Sequence, residues 1–143
     1  MTDLLELGRK VLMSQPFSVL IGAELREFSD GKAELVIPIT ETLKQQNGYV
    51  HGGVIGYAAD NAITFAGGSV LGTSVLTAEY KINYVAPAVG DQLIAQASVI
   101  YAGKRQAVCR CDVYAVKDGV KTLCAAAQGT IVKTGEETLP PKL

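Results

Sequence analysis

The sequence predicts an α+β fold in which an antiparallel sheet of about six strands wraps one long central helix. Two observations carry this. Between Gly52 and Ala66 the residues Val54, Ile55, Ala58, Ala62, Phe65 and Ala66 recur at steps of three and four, the period of a helix with a packed side. Two strand-like stretches precede that helix and four follow it. This order excludes the repeated strand–helix–strand crossovers of a doubly wound parallel sheet.

Taken in order, residues 2–13 set Leu4, Leu5, Leu7, Val11 and Leu12 among charges, which predicts a short amphipathic helix. Thr2 is placed to cap it and Ser14-Gln15-Pro16 to close it. Val19–Phe28 and Lys32–Ile39 read as strands of a hairpin around the turn dipeptide Asp30-Gly31. Pro38 ends the second or sets it near an edge. Residues 40–52 have no hydrophobic period, and loops of that length are often functional. Gly67-Gly68 and Gly72 mark the end of the central helix.

Four strands are then expected at about 74–86, 91–102, 105–117 and 120–132, divided by Pro87–Gly90, Gly103 and Asp118-Gly119. In the third, Ala107, Cys109, Cys111, Val113 and Ala115 share one face. In the fourth, Ala125, Ala127 and Gly129 form a stripe small enough to admit a close backbone, for which the central helix is the natural candidate. The tail from Thr134 to Leu143, with Pro140-Pro141, is expected to fray.

At 143 residues the chain, 1–143, suffices for one domain with a real core. Hydrophobic residues make up 48% and charged residues 19%, an apolar lean that suits an oligomer. The net charge is −1 and no Lys/Arg cluster stands out, so nothing supports a nucleic-acid partner. Asp3 and Glu6 interrupt the first leucines and no apolar run approaches the ~18 residues of a spanning helix. A soluble, cytoplasmic protein with no membrane partner is expected. Three cysteines, read as small buried residues, and one histidine make a poor metal set, so no metal is expected.

The central stretch joins a polar loop, Gln45-Gln46-Asn47-Gly48-Tyr49-Val50-His51, to the helix at Gly52 or Gly53. The first N–H groups of a helix lack intrahelical acceptors and carry partial positive charge, so this end suits an oxyanion. Asp60 stands among the apolar positions, where a carboxylate is costly unless paired, hydrated or used. It follows Gly52 by eight residues, roughly 12 Å at about 1.5 Å per residue. Both cannot act on one carbonyl from the same helix. If both are catalytic, Gly52 of one subunit must work with Asp60 of another, which builds a two-fold dimer into the reading.

Gly48-Tyr49-Val50-His51-Gly52-Gly53-Val54, Asp60 nine residues after His51, and Thr77-Ala78-Glu79-Tyr80-Lys81-Ile82-Asn83-Tyr84-Val85-Ala86-Pro87-Ala88 together resemble the PaaI-like acyl-CoA thioesterases of the hotdog fold. The resemblance covers roughly residues 15–134. It implies Asp60 as the helix carboxylate, Gly52 as the oxyanion-hole N–H and His51 as the histidine before it. Gln45 stands where related enzymes often carry Asn, and Thr77 takes the place of the hydroxyl residue on the following strand.

The resemblance further implies a thioester at a dimer interface, with His51, Gly52 and Gln45 from one subunit and Asp60 and Thr77 from the other, and dimers that often pair into tetramers. Asn47, Gly53, Asn61 and Thr64 lie near enough in sequence to line the site. Lys104 and Arg105 follow the Gly103 turn, where phosphates of coenzyme A could be met.

The expected activity is hydrolysis of an acyl-CoA, aryl-acyl or medium-chain, by an Asp general base or nucleophile and a backbone oxyanion hole, with the thioester as substrate and no cofactor. The alternative is a non-catalytic acyl-CoA-binding module. The His-Phe-Pro-Gly loop of hotdog dehydratases is absent, and Gly67–Gly72 follows a helix instead of opening one, so it is no phosphate loop.

Overall fold

The computed structural model describes residues 3–135. Helix α1, Leu4–Met13, is capped by Asp3, whose carboxylate accepts the Leu5 N–H at 3.1 Å. Thr2, the cap expected from sequence, and the Pro140-Pro141 tail lie outside the described residues. A second helix, α2, Pro16–Ile21, corrects the strand expected to start at Val19. Pro16 occupies the first turn, where its missing N–H removes nothing, and Gly22 closes the helix at φ +84°. Those end signals outweigh the β-leaning Val19-Leu20-Ile21 run.

Strands β1, Glu24–Ser29, and β2, Lys32–Pro38, form the expected hairpin. After a 3-10 turn at Glu41–Leu43 comes the central helix α3, Gly52–Leu71. The remaining strands are β3, Val75–Tyr84, β4, Gln92–Ala102, β5, Gln106–Lys117, and β6, Val120–Lys133. All pairings are antiparallel, in the order β1-β2-β4-β5-β6-β3. The sheet curls around α3, so Ile63 on the helix, Ile37, Leu93 and Val113 on the strands and Ile131 on β6 are wholly buried together.

Five glycines stand in α3, each less favourable than Ala by about 1 kcal/mol in a helix interior. A fully buried Ile or Leu side chain contributes about 1.5–3 kcal/mol, so packing rather than propensity holds this helix. Gly67 shows why the glycines are tolerated. A Cβ there would lie 2.8 Å from Cβ and Cγ1 of Ile131, so the helix backbone rests directly on β6. Gly67-Gly68 therefore sits inside α3 and does not end it. Termination falls at Gly72, with φ +108°.

The close approach that the small stripe on β6 anticipates is thus made at Ile131. Gly129 instead makes room for the neighbouring strand: its Cβ would lie 2.7 Å from the Glu79 carbonyl oxygen and from Tyr80 Cβ. Gly67→Ala is expected to lower stability by about 1–3 kcal/mol through overpacking. Gly68→Ala, whose Cβ meets only Val75 Cγ2 at 3.6 Å, should hold or gain. Urea unfolding of the two variants distinguishes these outcomes.

Edge strand β3 runs beside α3 in the opposite sense. Val75 packs at Gly68, Thr77 at Asp60, Tyr80 at Gly56 and Tyr84 at Gly52. A bulge makes this possible: Thr77 pairs with Ile131 and Glu79 with Thr130, leaving Ala78 as the extra residue. Alternation is thereby reset, so Val75 and Thr77 before the bulge and Tyr80, Ile82 and Tyr84 after it all face the helix.

Candidate active site

The loop before α3 is a closed structure. Gln45 N–H donates to the Tyr49 carbonyl at 2.8 Å, Gly48 N–H to that of Gln45 at 3.0 Å, and His51 N–H to that of Leu43 at 2.9 Å. Val50 N–H, bonded to the Ala88 carbonyl at 3.1 Å, ties it to the β3–β4 connection. The Gln45 side-chain carbonyl accepts the Asn47 N–H, so the expected substrate-holding amide supports its own loop through that oxygen. Asn47 contributes its backbone to that turn, and its side chain is exposed.

His51 is the N-cap of α3, its Nδ1 accepting the Gly53 N–H at 2.8 Å. The ring is therefore an acceptor at Nδ1, and the Gly53 N–H, expected to meet substrate, is already engaged. The Gly52 N–H has no hydrogen-bond partner among the described residues. Gly52 carries Tyr84 instead on its carbonyl, whose oxygen accepts from the phenol at 2.9 Å. This helix end opens on a cavity of about 400 Å³ lined by Gln45, Tyr49, Gly52, Ile55, Tyr84 and Pro87.

Eight residues on, half-buried Asp60 accepts a hydrogen bond on Oδ1 from Thr77 Oγ1 at 2.7 Å. Thr64 Oγ1 lies 2.9 Å from Thr77 Oγ1 and 2.8 Å from the Asp60 carbonyl oxygen. With one proton per hydroxyl, and that of Thr77 on the carboxylate, Thr64 donates to one of those two oxygens. No cation pairs with Asp60 among the described residues, and its Oδ2 has no partner there. The carboxylate is thus oriented by one hydroxyl and keeps an oxygen available to take a proton.

Its charge is felt nearby. Burial raises the Tyr57 pKa, with the Asp60 charge adding to it against the hydrogen bonds from Ser18 and Asn61. Tyr80 is likewise raised, by desolvation first and then by Asp60.

Asn61 is tied into a polar cluster and also lines a cavity between α1 and α3. Its Nδ2 donates to Gln15 Oε1 at 3.1 Å and Tyr57 Oη at 3.0 Å, while the Tyr57 phenol donates to Ser18 Oγ at 2.5 Å and Ser18 donates to Gln15 Oε1 at 2.6 Å. This polar cluster pins α2 to α3, with Ser18 only 1% exposed. Ser18→Ala, which leaves Tyr57 and Asn61 short of partners, is expected to reduce stability by about 1–3 kcal/mol. Chemical unfolding checks this.

Lys104 and Arg105 line a cavity with Lys133 and Gly135 at the β4–β5 turn. Lys133 pairs with Val75, the end of β3 opposite to Tyr84, so within one chain these cations lie away from Gly52. The structure thus brings Asp60, Thr64 and Thr77 together, sets Gln45, His51 and Gly52 in a second group, and places Lys104 and Arg105 in neither.

Sequence reasoning missed Tyr80, Tyr84 and the Gln15–Ser18–Tyr57 cluster. Glycines four apart at 52 and 56 on one helix face were the available sign that bulky side chains cover that face. The three thiols are buried. Burial pushes Cys109 and Cys124 up to about 11, and Cys111 is also strongly raised. Among the described residues no three potential metal ligands gather, and no helix is long and apolar enough to cross a membrane.

The sequence profile of the Thioesterase superfamily matches residues 47–122. A Saccharolobus solfataricus protein named as an inferred esterase is 32% identical over 133 residues, 90% of this chain and 87% of that one. A thioesterase family protein from Silicibacter pomeroyi superposes with a TM-score of 0.83 at 30% identity, covering 87% of this chain and 93% of its own. The phenylacetic acid degradation protein PaaI of Thermus thermophilus shares the fold, with a TM-score of 0.73 at 23% identity over 83% of this chain and 99% of that one.

Proposed function

The chain belongs to the thioesterase superfamily, with its hotdog fold, and from that membership we propose that it is a hydrolase of acyl-CoA thioesters. One observation carries the reading. A carboxylate without a cation, oriented by Thr77, stands on the same helix that presents a vacant N–H at Gly52.

In this mechanism Asp60 takes a proton from water as the water oxygen bonds to the thioester carbonyl carbon. The Gly52 N–H stabilises the resulting oxyanion. Collapse re-forms the carbonyl and breaks the C–S bond, and the leaving sulfur takes up the proton that Asp60 had received, which releases the free thiol and restores the carboxylate. Thr77 holds the carboxylate in line for the transfer. His51 acts through the helix start, since its ring fixes the turn that leaves the Gly52 N–H open.

Gly52 and Asp60 belong to one uninterrupted helix, about 12 Å apart along it, and Gly52 faces its own cavity. The complete site therefore combines Gly52, His51 and Gln45 of one subunit with Asp60 and Thr77 of a second, in a dimer or a dimer of dimers. Lys104, Arg105 and Lys133 form the cationic cluster suited to the coenzyme phosphates. Three unpaired thiols suit a reducing cytoplasm.

The test is release of free thiol from a panel of acyl-CoAs by the purified chain. Turnover of any of them supports the reading. Saturable binding with no turnover across the panel would make the protein an acyl-CoA-binding module instead.

A further inference from the structure

We infer that the groove between α1 and the second half of α3 receives the acyl group, and that it selects an unbranched aliphatic chain over a hydroxylated aromatic one. This rests on the thioesterase reading above.

The groove is a cavity of about 350 Å³, within the range of small-molecule sites. Thr64 lines its head, and Thr64 is the residue that touches both Thr77 and the Asp60 backbone. A carbonyl attacked by water on Asp60 thus has this groove as the adjoining space for its substituent.

Helix α1 supplies a second apolar stripe that its own packing leaves unexplained. Leu12 is 2% exposed and Gly8 lies against Phe28, so these two make the core contact. Leu4, Leu7 and Val11, at spacings of three and four, stand 38%, 40% and 42% exposed and line the groove. Its inner wall is the edge-to-face pair Phe28 and Phe65, with ring centroids 5.4 Å apart.

Two properties choose the ligand. From Thr64 to Gly72 the α3 wall runs roughly 12 Å at about 1.5 Å per residue. An extended chain of about ten carbons has that length, each advancing about 1.25 Å for C–C bonds of ~1.5 Å. Polar side chains near its head and middle are already engaged: Asn61 and the Gln15 oxygen in the Ser18 cluster, Thr64 with Asp60 and Thr77, and Ser69 between the Ala66 carbonyl and the Gly31 N–H. A phenolic hydroxyl bound there would lose water and find those groups occupied.

Thiol release is compared for straight-chain thioesters from acetyl-CoA to palmitoyl-CoA and for benzoyl-, hydroxybenzoyl- and phenylacetyl-CoA. In the wild type kcat/KM should rise by up to about fourfold per added methylene and level off near decanoyl. Leu7→Trp, which fills the groove from a partly exposed position, should lower the decanoyl-to-butanoyl ratio of kcat/KM by at least about tenfold.

Val11→Phe should act in the same direction and serves where the first variant folds poorly. An unchanged ratio in a folded variant, or a hydroxybenzoyl preference in the wild type, overturns the inference and leaves the hydrolase standing. Absence of turnover on every thioester overturns both.

Discussion

Asp60→Asn should lower kcat/KM for thiol release by about 10²–10⁴-fold, the contribution expected of a positioned general base. The substitution keeps the shape of the side chain and an oxygen for the Thr77 hydroxyl, so the 2.7 Å contact can persist. What it removes is the group able to accept a proton from water. Because no cation pairs with Asp60 among the described residues, no buried charge is orphaned by the change, and the melting temperature should move little. A thiol-reactive chromophore measures the rate, and thermal unfolding monitors the fold. Activity within tenfold of wild type in a folded protein would remove Asp60 from the chemistry.

Gly52→Pro should lower kcat by about 10²–10³-fold, as loss of one oxyanion donor does elsewhere, or roughly 2.7–4 kcal/mol of transition-state stabilisation. Proline deletes the one N–H at issue and is well suited to the first position of a helix. His51 precedes it with φ −60° and ψ 136°, the extended conformation that proline requires of its neighbour. A Cβ at residue 52 meets the Tyr84 ring at 3.5 Å, an ordinary contact. The fold should therefore tolerate the change while the oxyanion loses its donor.

The pair of variants also tests sharing between subunits. Mixed under conditions that exchange protomers, the two inactive proteins should recover about a quarter of wild-type activity. Half of the dimers are then mixed, and each mixed dimer holds one site of two with both residues intact. No recovery despite demonstrated exchange would put both groups in one chain's site and end the shared arrangement.

Much of this was legible in the sequence because local signals and tertiary structure agree. The α3 periodicity and the turn dipeptides Asp30-Gly31 and Asp118-Gly119 specify their elements directly. Asp60 could be nominated because a carboxylate on an otherwise apolar helix needs a partner, whereas Thr77 on β3 rests on the family resemblance and Thr64 on its nearness in sequence.

The failures have equally local causes. Val19-Leu20-Ile21 reads as strand by composition, and only Pro16 and Gly22 at its two ends disclose α2. Gly67-Gly68 reads as a helix stop, because close contact with Ile131 across 64 residues of chain leaves no local mark. The bonds from Asn61 to Gln15 and Ser18 were not foreseeable, because both partners lie at the start of a helix whose existence the strand reading from Val19 conceals. Which cavity each group faces depends on how α1 and β3 flank α3, and no short-range pattern encodes that.

The unpaired alanine of β3 makes slippage of the strand a more severe event there than substitution. Exchange of Ala78 for another small residue leaves the count of residues between Thr77 and Tyr80 intact, and with it the parity that turns both toward α3. Absorbing Ala78 into the ladder as an ordinary paired residue would reverse the parity: with Thr77 held at Asp60, both tyrosines and Ile82 would rotate to the far side of the sheet. The slip in pairing, more than the identity of the residue that occupies it, is what keeps these side chains toward α3.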